Sequence, residues 1–298
     1  MALQLSPVHP LVWRTPHEVQ LGVEQPVLRL GAVDADREFL LQVLRKGVSL
    51  PVLVTLAAGR GISAVDVERL VHEVQPALGP GSAGGAGGAG GAGCVGGSSG
   101  PSGLVGAVVG VEGRGAAVPE LLQVVQRAGA RVQQRLERRD VGVLVSHFAT
   151  APRRAAPWLR ADIPHLLVEF GDRSIRIGPV VVPGETACAE CLELRRKDED
   201  ACWPALASQL AVRIAPTADA LGVPLAAALA AGALGEHLAA KARGEPSRWQ
   251  SAALRVRPGG LAAPAAFAIE PVSPHPRCGC RSLPENETER DPPHDGCP

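Results

Sequence analysis

Between Gly79 and Gly103 lie twenty-five residues with no charge and thirteen glycines, in a core that repeats Gly-Gly-Ala. Such a run has almost no side chain to bury and leaves the backbone unfixed, so it reads as a flexible linker that divides the chain into two folding problems. Residues 1–78 precede it and residues 104–283 follow it. A polar run rich in proline and acid, residues 284–298, reads as a frayed tail. Cys94 and Cys297 fall in these two stretches and are expected to be bystanders. With 298 residues, 46% of them hydrophobic, both halves have enough apolar material for a core.

Thirty basic residues balance thirty acidic ones, and the formal net charge of +0 removes the electrostatics expected of a nucleic-acid binder. Outside the Gly/Ala stretch no uncharged apolar run approaches the length of a membrane span, and Met1–Ser6 lacks the basic start and apolar core of a signal peptide. These features predict a cytoplasmic protein that keeps its thiols reduced.

Before the linker, Leu11–Arg14, Glu18–Val23 and Val27–Leu30 are short apolar or alternating runs separated by turn residues, which predicts a three-stranded meander. Three helices should follow. Asp34 can cap the first, which places Phe39, Leu40, Val43 and Leu44 on one face and stops at Gly47. Ser49 opens a short second helix. Ser63, with Asp66 three residues on, starts a third in which Val67, Leu70, Val71 and Val74 recur at helical spacing until Pro76. Three strands and three helices in this order suggest a winged helix-turn-helix. Its third helix carries Asp66, Glu68 and Glu73 against Arg69 and His72, the wrong balance for reading DNA. Capture of a peptide as an added strand needs no basic charge. A purely structural packing domain is the plain alternative.

After the linker, the apolar run Leu104–Val111, a turn at Gly113 and Gly115, and a helix over Pro119–Ala128 open a nucleotide-binding-type βαβ unit. Arg131–Leu136 is expected to be its second strand and Val141–Val145 a buried parallel strand. Gly110, Gly113 and Gly115 do not have the regular dinucleotide spacing, and Glu112 places an acid where a phosphate would sit. The nucleotide site is therefore expected to be degenerate. Further strands are expected over Leu166–Phe170, Ser174–Val182, Trp249–Val256 and Ala265–Glu270, and helices over Trp203–Ile214 and Pro224–Ala242.

Two cysteine pairs carry the sharpest chemistry. Cys188-Ala-Glu-Cys191 offers two thiolates on one tight turn, and Cys278-Gly-Cys280 offers two more. Four thiolates brought together make a closed tetrahedral zinc site, which fastens the chain and does not catalyse. Unrelated buried or oxidised cysteines are the other reading, and His275 could replace one ligand. His237, on the Ala-rich helix, reads as a satisfied buried polar group.

Together these residues carry a family resemblance. The Gly-rich βαβ start, the stretch from Ile177 through Gly184 into Cys188-x-x-Cys191, the Ala-rich helix, the terminal hairpin and the Pro-His-Pro-Arg-Cys-Gly-Cys ending at Cys280 resemble the ThiF-like, ubiquitin-activating-type fold, which is Rossmann-like. With Trp203 through Gln209, the chain more narrowly resembles actinobacterial cyclodehydratase-type or precursor-leader-binding proteins of azole-forming ribosomal peptide pathways. The resemblance implies that the winged-helix segment is the recognition element for a precursor's leader peptide and that the ThiF-like part is a scaffold with structural zinc. It places the leader between Val27, Leu28, Arg29 and Leu30 and the third helix, with Val67, Leu70 and Val71 lining the cleft. Active ThiF-like proteins use a regular glycine loop and an Asp that holds magnesium at the end of a central strand. Here Val141–Val145 runs into Ser146-His147, so ATP chemistry is not expected. A separate YcaO-type cyclodehydratase would then do the cyclisation, and a homodimer is compatible with the reading. The alternatives are an ATP-dependent ThiF-type adenylating enzyme and a winged-helix regulator.

Overall fold

The computed structural model describes residues 2–79, 103–133, 139–258 and 266–281. Residues 80–102 with Cys94, residues 134–136 of the second expected strand, the hairpin turn at Gly259-Gly260 and the tail with Cys297 lie outside the described residues. The chain divides into two compact units, Met1–Ser98 and Ser99–Pro298.

In the first unit the meander forms as β2 (Leu11–Thr15), β3 (Glu18–Leu21) and β4 (Leu28–Leu30), antiparallel, with β4 at an edge. The helices follow as α1 (Ala35–Lys46), α2 (Leu50–Ala58) and α3 (Ala64–Val74). Asp34 Oδ1 accepts the Arg37 N–H at 2.8 Å, and Gly47 leaves α1 at φ 84°, the left-handed conformation that favours glycine. Ser63 Oγ accepts the Asp66 N–H at 3.2 Å and starts α3. A second small sheet was not visible in the sequence: β1 (Ala2–Leu5) pairs antiparallel with both β5 (Val48–Ser49) and β6 (Leu78–Gly79). Gly79, expected in the linker, is thus paired with Gln4. Leu5, Leu11, Leu21, Leu40, Leu44, Leu53, Val67 and Leu70 close the core, and an Arg37–Glu73 ion pair ties α1 to α3.

The second unit is a mixed α/β structure around seven strands: β7 (Val108–Glu112), β8 (Arg131–Val132), β9 (Val141–His147), β10 (His165–Phe170), β11 (Ile175–Val181), β12 (Ala252–Arg257) and β13 (Ala266–Pro271). Their order is β13-β12-β11-β10-β9-β7-β8. The strands from β8 to β10 run parallel, and β11, β12 and β13 add antiparallel. Every residue of β9 and β10 is buried, as expected of parallel strands covered on both faces. The covering helices are α4 (Ala117–Arg127), α5 (Pro152–Arg160), α6 (Ala189–Glu199), α7 (Trp203–Leu210) and α8 (Gly222–Ala242). Trp158 of α5 lies so close to β9 that a Cβ at Gly142 would meet its ring at 1.9 Å. α8 is long and apolar enough to cross a membrane by length and composition, and eleven of its residues are buried within this unit. His237 corrects one expectation: it is buried with no hydrogen-bond partner for either ring nitrogen among the described residues, in a helix wall made largely of alanine.

His165 opens β10 fully buried against Trp158, with ring centroids 5.8 Å apart. Its Nδ1–H donates to the Ile163 carbonyl at 3.0 Å. Burial pushes it from the usual 6.5 to about 4. Between those values the unfolded chain takes up a proton that the native ring refuses, so stability falls as pH drops through this window. Urea unfolding followed by tryptophan fluorescence should lose about 3 kcal/mol between pH 6.5 and 4 through this group. His165→Leu should flatten that dependence. Equal pH slopes for the two proteins would contradict it.

Candidate metal centre

The four sulfurs meet. Cys188 caps the N-terminus of α6, and Cys191 sits in its first turn, not on an isolated tight turn. Cys278 and Cys280 return from the segment after β13, Cys278 just before and Cys280 within a 3-10 turn over Gly279–Arg281. The separations are 3.9 Å from Cys188 to Cys191, 3.6 Å from Cys188 to Cys278 and 3.5 Å from Cys191 to Cys280, and all four atoms lie within 4.8 Å of one another. A tetrahedron with zinc–sulfur bonds of about 2.3 Å has sulfurs about 3.8 Å apart, so the donor set fits zinc. All four cysteines are free thiols.

The Cys188 thiol donates to Cys191, which lowers Cys191 to about 4 and raises Cys188. Burial pushes Cys278 up to about 12 and raises Cys280 as well. Metal ligation requires thiolates, so a divalent ion bound here would displace the remaining thiol protons. His275 does not replace a ligand. Its Nε2 faces Asp198 Oδ2 at 2.7 Å and its Nδ1 accepts the Arg277 N–H at 3.2 Å. Arg277 also pairs with Asp198, and Arg195 donates to the Ser273 carbonyl at 2.9 Å, so α6 grips the returning segment at several points.

The nucleotide glycines separate in space. Gly110 lies within β7, where a Cβ would meet the Arg139 side chain at 2.3 Å, so it faces no ligand. Glu112 corrects a second expectation: its carboxylate is bound by Arg139 at 2.9 Å and stays off the cavity wall. Gly113 and Gly115 form the turn after β7. A Cβ at Gly113 would meet Val145 at 2.5 Å, and Gly115 has φ 81°. Beyond the carboxyl ends of β7 and β9, where the strand order reverses, a cavity of about 790 Å³ opens.

Behind that cavity Ser146 Oγ meets Thr150 Oγ1 at 2.6 Å, and Thr150 reaches Glu169 at 3.2 Å. Glu169 is ion-paired with Arg196. Arg196 also holds Glu193, which accepts the Trp203 Nε1–H at 2.6 Å. Sequence reasoning missed Arg114, Arg153, Arg154 and Lys197, which also line the cavity. The adjacent arginines after Pro152, just beyond a buried strand, were the one available signal.

Among the expected leader contacts, Val67, Leu70 and Leu30 are core residues with at most 5% exposure, a correction to the cleft lining. Val27, Leu28 and Val71 are half-buried on the same cluster, and Arg29 is exposed. The apolar stripe of α3 is spent on the core, leaving only its margin at the surface.

No family model matches the chain, and no curated protein does. Similar solved structures include a heterocyclase in complex with substrate and cofactor, 16% identical with a TM-score of 0.48, over 92% of this chain and 38% of that one. The heterocyclase TruD is 19% identical with a TM-score of 0.47, over 94% of this chain and 42% of that one. E. coli MccB is 13% identical with a TM-score of 0.41, over 99% of this chain and 100% of that one. The chain thus spans about two-fifths of each of the two heterocyclase chains.

Elemental analysis of the purified chain should find about one zinc ion per molecule. Cys188→Ser with Cys191→Ser should abolish it and lower the melting temperature, because metal free energy is folding free energy here. A metal-free protein of unchanged stability would contradict the assignment.

Proposed function

We propose that the chain is a non-catalytic scaffold that binds the leader of a ribosomal precursor peptide and presents the peptide to a separate YcaO-type cyclodehydratase for azoline or azole formation. In this reading residues 1–78 are a winged-helix recognition element, residues 79–103 a linker, and residues 104–283 a ThiF-like part whose four cysteines hold structural zinc. One observation carries it: among the described residues β4 pairs on one side only, with β3, which leaves its other backbone edge for an added strand. Val27, Leu28 and Val71 offer apolar surface in the same cluster, and Arg29 projects between Leu28 and Leu30. Backbone pairing supplies affinity, and these side chains select the sequence.

The cavity beyond β7 and β9 favours a second reading, a ThiF-type adenylating enzyme. The two differ in one product. With magnesium-ATP and the precursor peptide, the scaffold releases no pyrophosphate, whereas an adenylating enzyme releases it stoichiometrically.

Fluorescence anisotropy with a fluorescently labelled candidate precursor leader peptide tests capture. Val71→Asp, at a half-buried margin of α3, should weaken binding at least about tenfold, roughly 1.4 kcal/mol, with circular dichroism unchanged. Leu70→Asp is uninformative because Leu70 is core. Wild-type affinity in a folded Val71→Asp chain would contradict the proposed groove.

A further inference from the structure

The wall of the cavity beyond β7 and β9 carries more positive charge than the described residues neutralise. Arg114, Arg153, Arg154 and Lys197 line it, and among the described residues none of the four forms an ion pair. Two acids share the wall. Glu193 is committed to Arg196, to the Trp203 indole and to the Thr150 N–H, and Glu190 stands exposed, one carboxylate against four cations. Burial first, and then the charge of Arg114, lower Arg154 from its ordinary value, while Glu112, itself paired with Arg139, opposes them. A surplus of positive charge is left on the wall.

The same chain holds a matching segment. Beyond Arg281, outside the described residues, the sequence runs Leu283-Pro-Glu-Asn-Glu-Thr-Glu-Arg-Asp291, with its acids at Glu285, Glu287, Glu289 and Asp291. Side chains alternate across an extended chain, so this spacing puts all four carboxylates on one side, about 6.6 Å apart, and Arg290 on the other. Pro284 before the run and Pro292-Pro293 after it disfavour a helix, which would scatter them. The run is also anchored beside the cavity. Cys280 Sγ lies 3.5 Å from Cys191 Sγ in the first turn of α6, and the same helix gives Glu190, Glu193, Leu194 and Lys197 to the wall. Cys191 and Lys197 are six residues apart, about 9 Å along the helix axis. The five to eleven residues from Cys280 to the acids reach roughly 17–36 Å when extended, so the run is long enough to cross the wall. A tether this short holds it near the cavity at an effective concentration in the millimolar range.

We propose that Glu285, Glu287, Glu289 and Asp291 of this same chain dock across the cavity and pair with Arg114, Arg153, Arg154 and Lys197. Guanidinium and carboxylate match in two parallel hydrogen bonds. Donors remain for them: Arg154 Nη1 spends one on the Val145 carbonyl at 3.2 Å and Arg114 Nη2 one on the Ala211 carbonyl, of five on each guanidinium. A tethered occupant of this kind closes the cavity to other anions and is released by salt. Both partners belong to the second unit, and the contact does not depend on leader capture by the first.

The chain has three lysines, Lys46, Lys197 and Lys241, and of these Lys197 lines the cavity. A water-soluble carbodiimide joins a lysine to a carboxylate only where the two touch, so peptide mass spectrometry of the treated full chain reads the contact. In low-salt buffer the main lysine amide should join Lys197 to Glu285, Glu287, Glu289 or Asp291. Its yield should fall several-fold at about 0.5 M salt, where the screening length is about 4 Å. Arg153→Glu, at an exposed side chain, should lower the yield at least about fivefold, the worth of one charge pair in water, with circular dichroism unchanged. Mixing heavy-isotope-labelled with unlabelled chains shows whether both ends of the amide belong to one molecule, as expected. In a second readout, Glu285→Gln, Glu287→Gln, Glu289→Gln and Asp291→Asn together should raise the acetylation rate of Lys197 relative to Lys46 and Lys241. A yield at Lys197 no greater than at Lys46 and Lys241, Lys197 amides to Glu190 or Glu193 alone, or a wild-type yield in Arg153→Glu would overturn the proposal. So would a mixed-isotope amide as the main product, which would make a second copy the occupant.

Discussion

In the second unit four sulfur atoms from distant parts of the chain come together. Cys188 and Cys278 are 90 residues apart in sequence, and Cys191 and Cys280 are 89 apart. Closing a loop of that length removes roughly 4–5 kcal/mol of unfolded-chain entropy on the chain-entropy scale used for cross-links. Within the loop lie α6, α7, α8, β12 and β13, which supply two of the three antiparallel strands and much of the sheet's cover. β13 is an edge strand with Phe267 and Ile269 exposed, so it gains little from burial. The sulfur cluster and the clasp of Asp198 on His275 and Arg277 hold the segment that follows it.

With that half secured, the parallel strands can devote both faces to packing and their carboxyl ends to a site. β9 and β10 are buried throughout, yet β9 ends in the polar Ser146 and His147, whose partners include Thr150, Arg114 and Ala215. The polar chain from Ser146 through Glu169 and Arg196 to Trp203 is nearly fully paired, which is what allows charge to lie so close to a hydrophobic sheet. The unneutralised arginines stand in front of this network and not within it. The fold thus separates a satisfied interior from a cationic cavity.

Much of the first unit was legible because capping residues and apolar periodicity act locally. Asp34 and Ser63 fall at the N-caps of α1 and α3, and the meander forms at the expected runs. β1 was invisible because it is four residues long and both its partners contribute only two. α5 and α6 escaped for another reason. α5 contains Pro157 among arginines and buries only Ala155 and Trp158, while α6 is mostly charged and buries only Ala189, Cys191 and Leu192. Periodicity shows that one face of α3 is apolar, but not whether that face meets a core or a groove. The cysteine spacing was legible as a metal set. The cation cluster was not, because Arg114, Arg153 and Lys197 are brought together only by the strand order.

The central claim is that the open edge of β4 receives the leader as an added strand. Hydrogen exchange of the full chain, read residue by residue with and without the precursor leader, tests this directly. The account predicts slowed exchange at the outward-facing backbone amides of Leu28–Leu30 and at the Val71 margin of α3, with residues 104–281 unchanged. Protection confined to residues 104–281, with β4 exchanging as in the free chain, would contradict it.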